Sequence, residues 1–208
     1  GGWTYEQALV IVGLYMLMGG LTSMFFEPNL QRVVAMVRDG TMDFVLMKPV
    51  NSQFMATLRH IKFSGLADIL AGSAVIVYAC AQMGYAPSAG SLALFVLTFG
   101  MGLMIIYSIW LMMCACAFIF VRIDNLQELF HALWDTARFP VSAFPGVMRF
   151  VLTFVLPIAF MTTFPAQAIL GTLDAGTFVM TLVIGVALFT LGTLVWRRTI
   201  RSYSSASS

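Results

Sequence analysis

The chain of 208 residues is 60% hydrophobic and only 10% charged, with a formal net charge of +2. A soluble domain carries about 25% charged residues, so this chain has too little polar surface to cover a water-soluble globule of its size. These values exclude soluble enzymes, nucleic-acid-binding proteins and disulfide-stapled secreted domains, and they predict a polytopic membrane protein.

Long charge-poor runs identify the membrane-spanning segments, because about 20 apolar residues cross a bilayer as one helix. A short turn between two of these runs is indicated by residues 84–90, GYAPSAG in one-letter code. In chain order, the predicted spans are Glu6–Phe26, Phe63–Met83, Ser91–Val121 and Ala175–Trp196.

The region between residues 122 and 174 permits two interpretations. Leu126–Phe144 is helix-like and moderately apolar, whereas Val147–Thr163 is strongly apolar but short, and prolines interrupt its surroundings. Either stretch can be the membrane crossing. Two full crossings here would reverse the direction of the final span.

The distribution of Lys and Arg predicts the orientation, because cytoplasmic loops of membrane proteins carry an excess of both residues. We expect the nine basic residues to face the cytoplasm, with the C-terminus, and the first residue and the turn at 84–90 to face outward. This orientation requires residues 122–174 to cross once, which gives five crossings and an expected further helix before Gly1. The nine residues are Arg32, Arg38, Lys48, Arg59, Lys62, Arg122, Arg197, Arg198 and Arg201.

The polar segment between the first two spans begins with an amphipathic pattern. Its spacing of i, i+3, i+4 and i+7 predicts one apolar stripe on a short helix. A helix that lies on lipid headgroups and a helix that docks a cytoplasmic partner would both show this stripe. The residues of the stripe are Leu30, Val33, Val34 and Val37.

Capping signals divide the rest of this segment. Gly40 is suited to end the amphipathic helix in a left-handed conformation. We expect Thr41 to cap a second short helix, which Pro49 stops because proline lacks the backbone donor. Asn51 or Ser52 is then expected to cap the long helix that enters the membrane.

A motif in the same segment resembles a known family. It reads Val37-Arg38-Asp39-Gly40-Thr41-Met42-Asp43-Phe44-Val45-Leu46-Met47-Lys48-Pro49-Val50. This resembles the R-x-G-x-L-D-x-x-L-x-K/R-P-V signature of bacterial ABC-2-type permeases of the two-permease kind, with Met42 in place of the usual leucine. In that family the loop holds the coupling helix that docks on the ATPase subunit.

The resemblance therefore implies a cytoplasmic coupling segment over residues 29–50 and favours the docking interpretation of its stripe. By this resemblance Arg38 and Lys48 bind acidic groups on the ATPase or cap its helix ends. Asp43 caps or braces the coupling helix, and Gly40 and Pro49 shape it.

A second motif resembles the outer part of type-2 exporters. It comprises residues 138–145, RFPVSAFP in one-letter code, then Arg149 and Leu156-Pro157. By that analogy Asp124–Phe144 crosses the membrane and residues 146–170 form an outer re-entrant hairpin, bent at Pro157 and Pro165. The hairpin residues singled out by the analogy are Pro145, Arg149, Pro157 and Pro165.

Together the two motifs imply an all-α integral membrane protein with the type-2 ABC exporter permease fold. The family has six helices. Without the first of them, this chain is expected to show five crossings plus the re-entrant hairpin, within a single transmembrane domain over residues 1–208.

Four ionisable residues between the two motifs are spaced 3, 4 and 3 apart, which places them on one helical face. In a membrane helix such groups line a cavity or pair with one another, so they are candidates for the transport path or the permease–permease seam. An interfacial helix with its polar face in water is the alternative. The residues are Glu128, His131, Asp135 and Arg138, with Asp135–Arg138 and Glu128–His131 as the expected pairs.

No motif for catalysis, cofactor binding or metal binding is evident. Glu128 and His131 have the spacing of a di-iron ligand pair, but such a site needs a second motif and two further Glu residues, so no metal site is expected. The chain lacks a phosphate-binding G-x-x-x-x-G-K-[ST] loop. We therefore expect no enzyme and no cofactor in this chain, with ATP and Mg²⁺ bound by the partner ATPase.

The resemblance implies the permease subunit of an ABC exporter of the multidrug-efflux type in the bacterial plasma (inner) membrane. Its expected partners are two ATPase copies, a second permease that is identical or homologous, and membrane lipid, with no nucleic acid. An ATP-independent carrier and a membrane scaffold or assembly protein are the alternatives. Fifteen Met and 18 Phe suit binding of amphipathic or drug-like substrates, with pathway candidates Phe26, Phe99, Tyr107 and Trp110.

Overall fold

The computed structural model describes residues 2–116, 118 and 134–202, and these residues form helices and turns without a strand. Four long apolar segments can cross a membrane, and they correspond to the four predicted spans: Tyr5–Arg38, Phe63–Gln82, Ala89–Cys116 and Ala175–Ser202. The helices are α1 Tyr5–Phe25, α2 Glu27–Arg38, α3 Asp43–Leu46, α4 Ser52–Thr57, α5 Leu66–Gln82, α6 Ala89–Cys116, α7 Gly146–Phe150, α8 Thr163–Ile169 and α9 Ala175–Ser202.

Helices α1 and α5 pack antiparallel through glycines. A Cβ on Gly72 would lie 2.5 Å from the carbonyl oxygen of Gly13, and a Cβ on Gly65 would overlap the carbonyl oxygen of Gly20. Gly20, near the end of α1, thus lies against Gly65, the residue just before α5. Small residues permit this close approach, which is the usual way in which helices associate in a membrane.

Helices α6 and α9 pack parallel to each other. Gly185 lies against Met101, and seven residues further along both helices Gly192 lies against Ser108. Two parallel helices require the chain between them to return across the membrane. The parallel pair therefore agrees with the predicted single crossing between residues 122 and 174.

The bundle has two chemically distinct ends. At the first, here called the basic end, the Lys62 amide donates to the Met24 carbonyl at 3.0 Å. The last turns of α9 lie at the same end, where Arg197 lines a cavity together with Asn51 and Gln53. At the other, here called the opposite end, the Trp3 indole N–H donates to the Ser142 hydroxyl at 3.0 Å.

Residues 146–169 form a bent helical segment with an angle of 66° between its two arms. A π-helical turn over Val151–Val155 extends α7 to the break, and Pro157 follows directly, as predicted. The predicted bend at Pro165 is wrong. Pro165 lies in the first turn of α8, where a helix has no acceptor for the missing N–H in any case.

The expected helix over Leu126–Phe144 ends earlier than predicted within its described part. The continuous helix stops at Arg138, Phe139 is extended, with φ −110° and ψ 143°, and a separate 3₁₀ turn follows over Val141–Ala143. Pro140 explains the break, because a proline excludes the preceding residue from helical dihedrals. Residues 119–133, which would form the first part of this crossing, lie outside the described residues.

The predicted continuous helix from Asn51 or Ser52 into the membrane is also wrong. α4 ends at Thr57, and α5 begins nine residues later at Leu66. Hydrogen bonds between Asn29 and His60 stabilise the non-helical backbone between α4 and α5. The Asn29 side-chain amide donates to the His60 carbonyl at 2.8 Å, and the His60 amide donates to the Asn29 side-chain oxygen at 3.0 Å.

Candidate functional site

The amphipathic stripe of α2 packs against protein. Leu30 is 2% exposed and Val33 is fully buried, and both belong to the main apolar core together with residues of α6. Val34 and Val37 pack against the same core. The stripe therefore fixes α2 to the transmembrane helices, while the exposed Arg32 lies on another face of α2.

Gly40 separates α2 from α3 as predicted. Its φ of +68° is left-handed, which glycine adopts without steric cost. The predicted Thr41 cap is wrong, because α3 follows Met42, and no side chain caps it. Burial explains the difference, since the Met42 side chain is fully buried in the main apolar core and holds the turn before α3 in place. α3 ends at Leu46, ahead of Pro49 as expected.

The solvent-exposed side of α3 presents an apolar surface bordered by cations. Phe44 is 64% exposed and Met47 is 72% exposed. Arg38 and Lys48 are exposed beside them in the chain, and these four residues are here called the tip surface. Arg38 also forms a solvent-exposed ion pair with Asp39, with 3.4 Å between Nε and Oδ1. Asp43 is the first residue of α3.

Tyr107 of α6 joins α4 to the transmembrane helices, a role that its position in a charge-free run did not indicate. Its hydroxyl lies 3.0 Å from both the Gln53 side-chain nitrogen and the Thr57 hydroxyl of α4. Its ring contacts the ring of Phe26, at a centroid distance of 5.8 Å, and that of Phe189 on α9, at 6.1 Å. These contacts link α4 to both α6 and α9.

His60 lies at the same junction. Burial, followed by the nearby positive charges of Arg32 and Arg59, lowers the pKa of His60 below its ordinary value. The ring is therefore neutral at physiological pH. The His60 backbone binds the side chain of Asn29.

A polar cluster lies halfway along α1. The predicted ion pair is present, with 2.7 Å between the Arg138 guanidinium and the Asp135 carboxylate. The Tyr15 hydroxyl donates to the same carboxylate at 2.8 Å, and the Tyr15 ring stacks on Trp134 at 5.7 Å. The Arg138 charge lies 5.6 Å from the Tyr15 ring centroid. The other two predicted members, Glu128 and His131, lie outside the described residues.

The predicted hairpin residues lie between the opposite end and the middle of the bundle. Pro145 precedes α7, and Arg149 is exposed on α7, where it lines a cavity of about 380 Å³ together with Gln167 of α8. Phe160 and Thr162, near the inner limit of the bent segment, are fully buried. A Cβ on Gly102, halfway along α6, would lie 2.8 Å from the Phe160 carbonyl oxygen.

Metal ligands do not cluster in the described part of the chain. There, no group of three or more His, Cys, Asp or Glu side chains is arranged to hold a metal ion. The three cysteines are free thiols, and two of them, Cys80 and Cys114, are buried as packing residues.

Comparison with known families decides the identity of the chain. A profile described as ABC-2 family transporter protein matches residues 1–207. The chain belongs to the ABC-2 transporter family. It is therefore a multi-pass membrane permease of an ABC transporter, a subunit that associates with an ABC ATPase and is not itself the catalytic one. No curated protein and no solved structure matches the chain.

This ABC-2 membership and the all-helical membrane fold confirm the resemblance drawn from the two sequence motifs. The roles of individual residues within the family fold remain predictions, and they are taken up next.

Proposed function

We propose that this ABC-2 permease is an exporter that moves an amphipathic or drug-like molecule out of a bacterial cell, driven by ATP hydrolysed on two separate ATPase chains. The tip surface carries this proposal. It exposes two large apolar side chains, Phe44 and Met47, between two cations, on a short helix at the basic end. Such a patch is typical of a protein interaction site.

Docking follows from the chemistry of this surface. Phe44 and Met47 insert into an apolar groove of the ATPase, and Arg38 and Lys48 pair with acidic groups around that groove. Gly40 and Pro49 keep α3 as a separate short element that projects from the bundle.

Transmission requires a stiff connection from α3 to the membrane. The buried stripe of α2 provides one connection, through Leu30 and Val33. The Tyr107 hydroxyl provides another, through its contacts with Gln53 and Thr57. Closure of the ATPases on ATP binding would then move α4 together with α6 and α9.

The transport path lies at the seam with a second permease, which is identical or homologous. Asp135 and Arg138, with the predicted Glu128 and His131, line this seam, since paired charges halfway through a membrane favour a protein or water interface over lipid. The basic end, with the C-terminus, faces the cytoplasm of a bacterial plasma membrane.

Residues 146–170 form the outer re-entrant hairpin of this proposal. Both of its ends lie near the opposite end of the bundle: Ser142 bonds to Trp3, and a Cβ on Gly171 would lie 3.1 Å from the Tyr85 hydroxyl. Its apex at Phe160 packs beside the middle of α6. Protein covers this non-helical backbone, which is the condition for such backbone at membrane depth.

A photo-crosslinking amino acid at position 44 tests the docking step in intact cells. We expect Phe44 replaced in this way to give a covalent adduct with a chain that contains a G-x-x-x-x-G-K-[ST] loop, identified by mass spectrometry. Tyr5, which is 74% exposed at the opposite end, is the matched control and should give no such adduct.

The addition of Arg38→Glu should reduce the adduct at position 44, because the reversed charge repels acidic groups on the ATPase. An ATPase adduct at neither position would contradict the exporter proposal. It would favour an ATP-independent carrier or a scaffold.

A further inference from the structure

The cavity beside Arg149 lies between α7, α8 and the start of α9, where Arg149, Gln167 and Thr177 line it. Its volume of about 380 Å³ is within the range of about 300–1,000 Å³ that is usual for small-molecule pockets. Ser142, which bonds to Trp3, also lines it, so the cavity lies at the opposite end of the bundle. We name it the α7 cavity.

The polar side chains of the α7 cavity offer donors for which the described residues provide no acceptor. The Arg149 guanidinium and the Gln167 side-chain amide make no hydrogen bond or ion pair within the described part of the chain. The Thr163 hydroxyl, on a residue that is only 4% exposed, accepts from the Val141 amide at 3.3 Å, and no described group accepts its own proton. Buried donors without acceptors are costly, so this lining favours an occupant rich in acceptor oxygens.

The charge of the lining is positive. Arg149 remains charged at any physiological pH, and no carboxylate is among the described residues that line the cavity. The Asp174 carboxylate, at the start of α9, is exposed and is bound to the hydroxyl and the amide of Thr177. The occupant that complements this lining is therefore an anion.

The apolar surface of α7 continues from the cavity to the outside of the bundle. No residue of α7 is buried, and Val147 is 82% exposed. Phe150 and Phe154 line the cavity and are also more than half exposed, with 5.1 Å between their ring centroids. In a membrane protein, acyl chains solvate such a surface as well as other apolar side chains do. The occupant thus combines an anionic group with an apolar body.

We propose that the α7 cavity binds the phosphate of an anionic phospholipid from the leaflet at the opposite end. Arg149 pairs with the phosphate, Gln167 and Thr163 donate to oxygen atoms of the head group, and the acyl chains lie along Phe150 and Phe154. The lipid thereby joins α7 to α8 across the space between them. A zwitterionic lipid binds less well, because no described carboxylate of the lining pairs with its ammonium group.

Photolabelling of the full chain tests the α7 cavity. The probe is phosphatidylglycerol with a photoactivatable diazirine on its head group, present as a minor component of phosphatidylcholine liposomes that contain the permease. We expect mass spectrometry to locate the label within residues 141–167. Excess unlabelled phosphatidylglycerol should abolish this labelling, whereas glycerol 3-phosphate at the same concentration should not, because it lacks the acyl chains.

Four variants make the result specific to the cavity. Arg149→Gln should reduce labelling of residues 141–167 by at least about tenfold, because it removes the charged contact. Arg149→Lys keeps the charge and should retain most of the labelling. Gln167→Leu removes the amide donor at similar size and should reduce labelling several-fold, which provides a second test if Arg149→Gln does not fold. Arg59→Gln removes an exposed arginine at the basic end and should label like the parent.

Equal labelling of residues 141–167 in the parent, Arg149→Gln and Gln167→Leu would overturn the proposal, because the apolar surface alone would then hold the probe. Equal competition by glycerol 3-phosphate would also overturn it and would indicate a site for free phosphate esters. Absence of label from these residues would leave the surface of α7 to another protein chain. None of these results affects the ATPase adduct at Phe44, so the export function is tested separately.

Discussion

Gly72 of α5 lies directly against Gly13 of α1, so that a Cβ on Gly72 would stand 2.5 Å from the Gly13 carbonyl oxygen. Seven residues closer to the basic end, Gly65 meets Gly20 in the same way. The two backbones therefore touch without side chains between them. Asp68 lies between these two contacts in the chain.

Gly72→Ala should destabilise the helix pair. The added methyl group meets backbone atoms that cannot move aside, and overpacking of this kind typically costs about 1–3 kcal/mol. The measurement is the unfolding temperature of the purified protein in detergent. Gly100→Ala is the matched control in the interior of α6, where nothing lies within 4 Å of an added Cβ. It should be neutral or slightly stabilising, and equal effects of the two variants would contradict the close contact.

Local signals in the sequence predicted a large part of the fold. Charge-poor runs located the four long spans, because the bilayer itself dictates their length and composition. Gly40 and Pro157 were placed correctly, since each acts through its own backbone dihedrals. Asn51 was one of two predicted caps, and its side chain accepts from the Gln53 and Phe54 amides at 3.0 and 3.3 Å.

The errors arose where distant residues decide the structure. The break before α5 depends on Asn29, which is 31 residues from His60 in the chain. The start of α3 depends on the burial of Met42 rather than on the hydroxyl of Thr41. The candidate site shows the same division. Asp135 and Arg138 pair at i and i+3 and were predicted, whereas Tyr15, 120 residues away from Asp135, was not.

The Asp135–Arg138 ion pair should show strong coupling in a double-mutant cycle. Asp135→Asn or Arg138→Gln alone leaves one charge halfway along a membrane helix bundle, whereas the double variant leaves none. We expect the double variant to be more stable than the sum of the single effects by on the order of 1 kcal/mol. Thermal unfolding in detergent gives the difference in stability between the parent and each of the three variants.

The exposed Arg38–Asp39 pair provides the control for this cycle, because both side chains are more than half exposed outside the membrane. Its coupling should be close to zero, as for most surface ion pairs. Simple additivity at Asp135 and Arg138 would show that their charges are solvated by water instead of by each other.

The first turn of α9 should be sensitive to acid through Asp174. The Asp174 carboxylate accepts from the Thr177 hydroxyl at 2.5 Å and from the Thr177 amide at 2.9 Å. The hydrogen bond from the Thr177 hydroxyl, followed by that from the amide, lowers the pKa of Asp174 below its ordinary value. The stabilisation is therefore complete above the ordinary pKa and is lost as the pH falls through the lowered one.

Asp174→Ala should accordingly lower the unfolding temperature at pH 7, and the gap between parent and variant should close as the pH approaches the lowered pKa. Thermal unfolding from neutral pH into the acid range checks this expectation. A gap that is independent of pH would mean that the cap acts by shape rather than by charge.

Tyr107→Phe should loosen α4 while leaving the transmembrane bundle intact. The variant keeps the ring contacts with Phe26 and Phe189 but removes both hydroxyl contacts with α4, each worth about 0.5–1.5 kcal/mol. Hydrogen exchange of residues 52–58 should therefore become faster by roughly tenfold, with α6 unchanged. Tyr78→Phe, on an exposed tyrosine of α5, is the matched control and should exchange like the parent. If Tyr107→Phe exchanges like Tyr78→Phe, the hydroxyl does not hold α4, and the apolar stripe of α2 is then the connection on which the proposed transmission must depend.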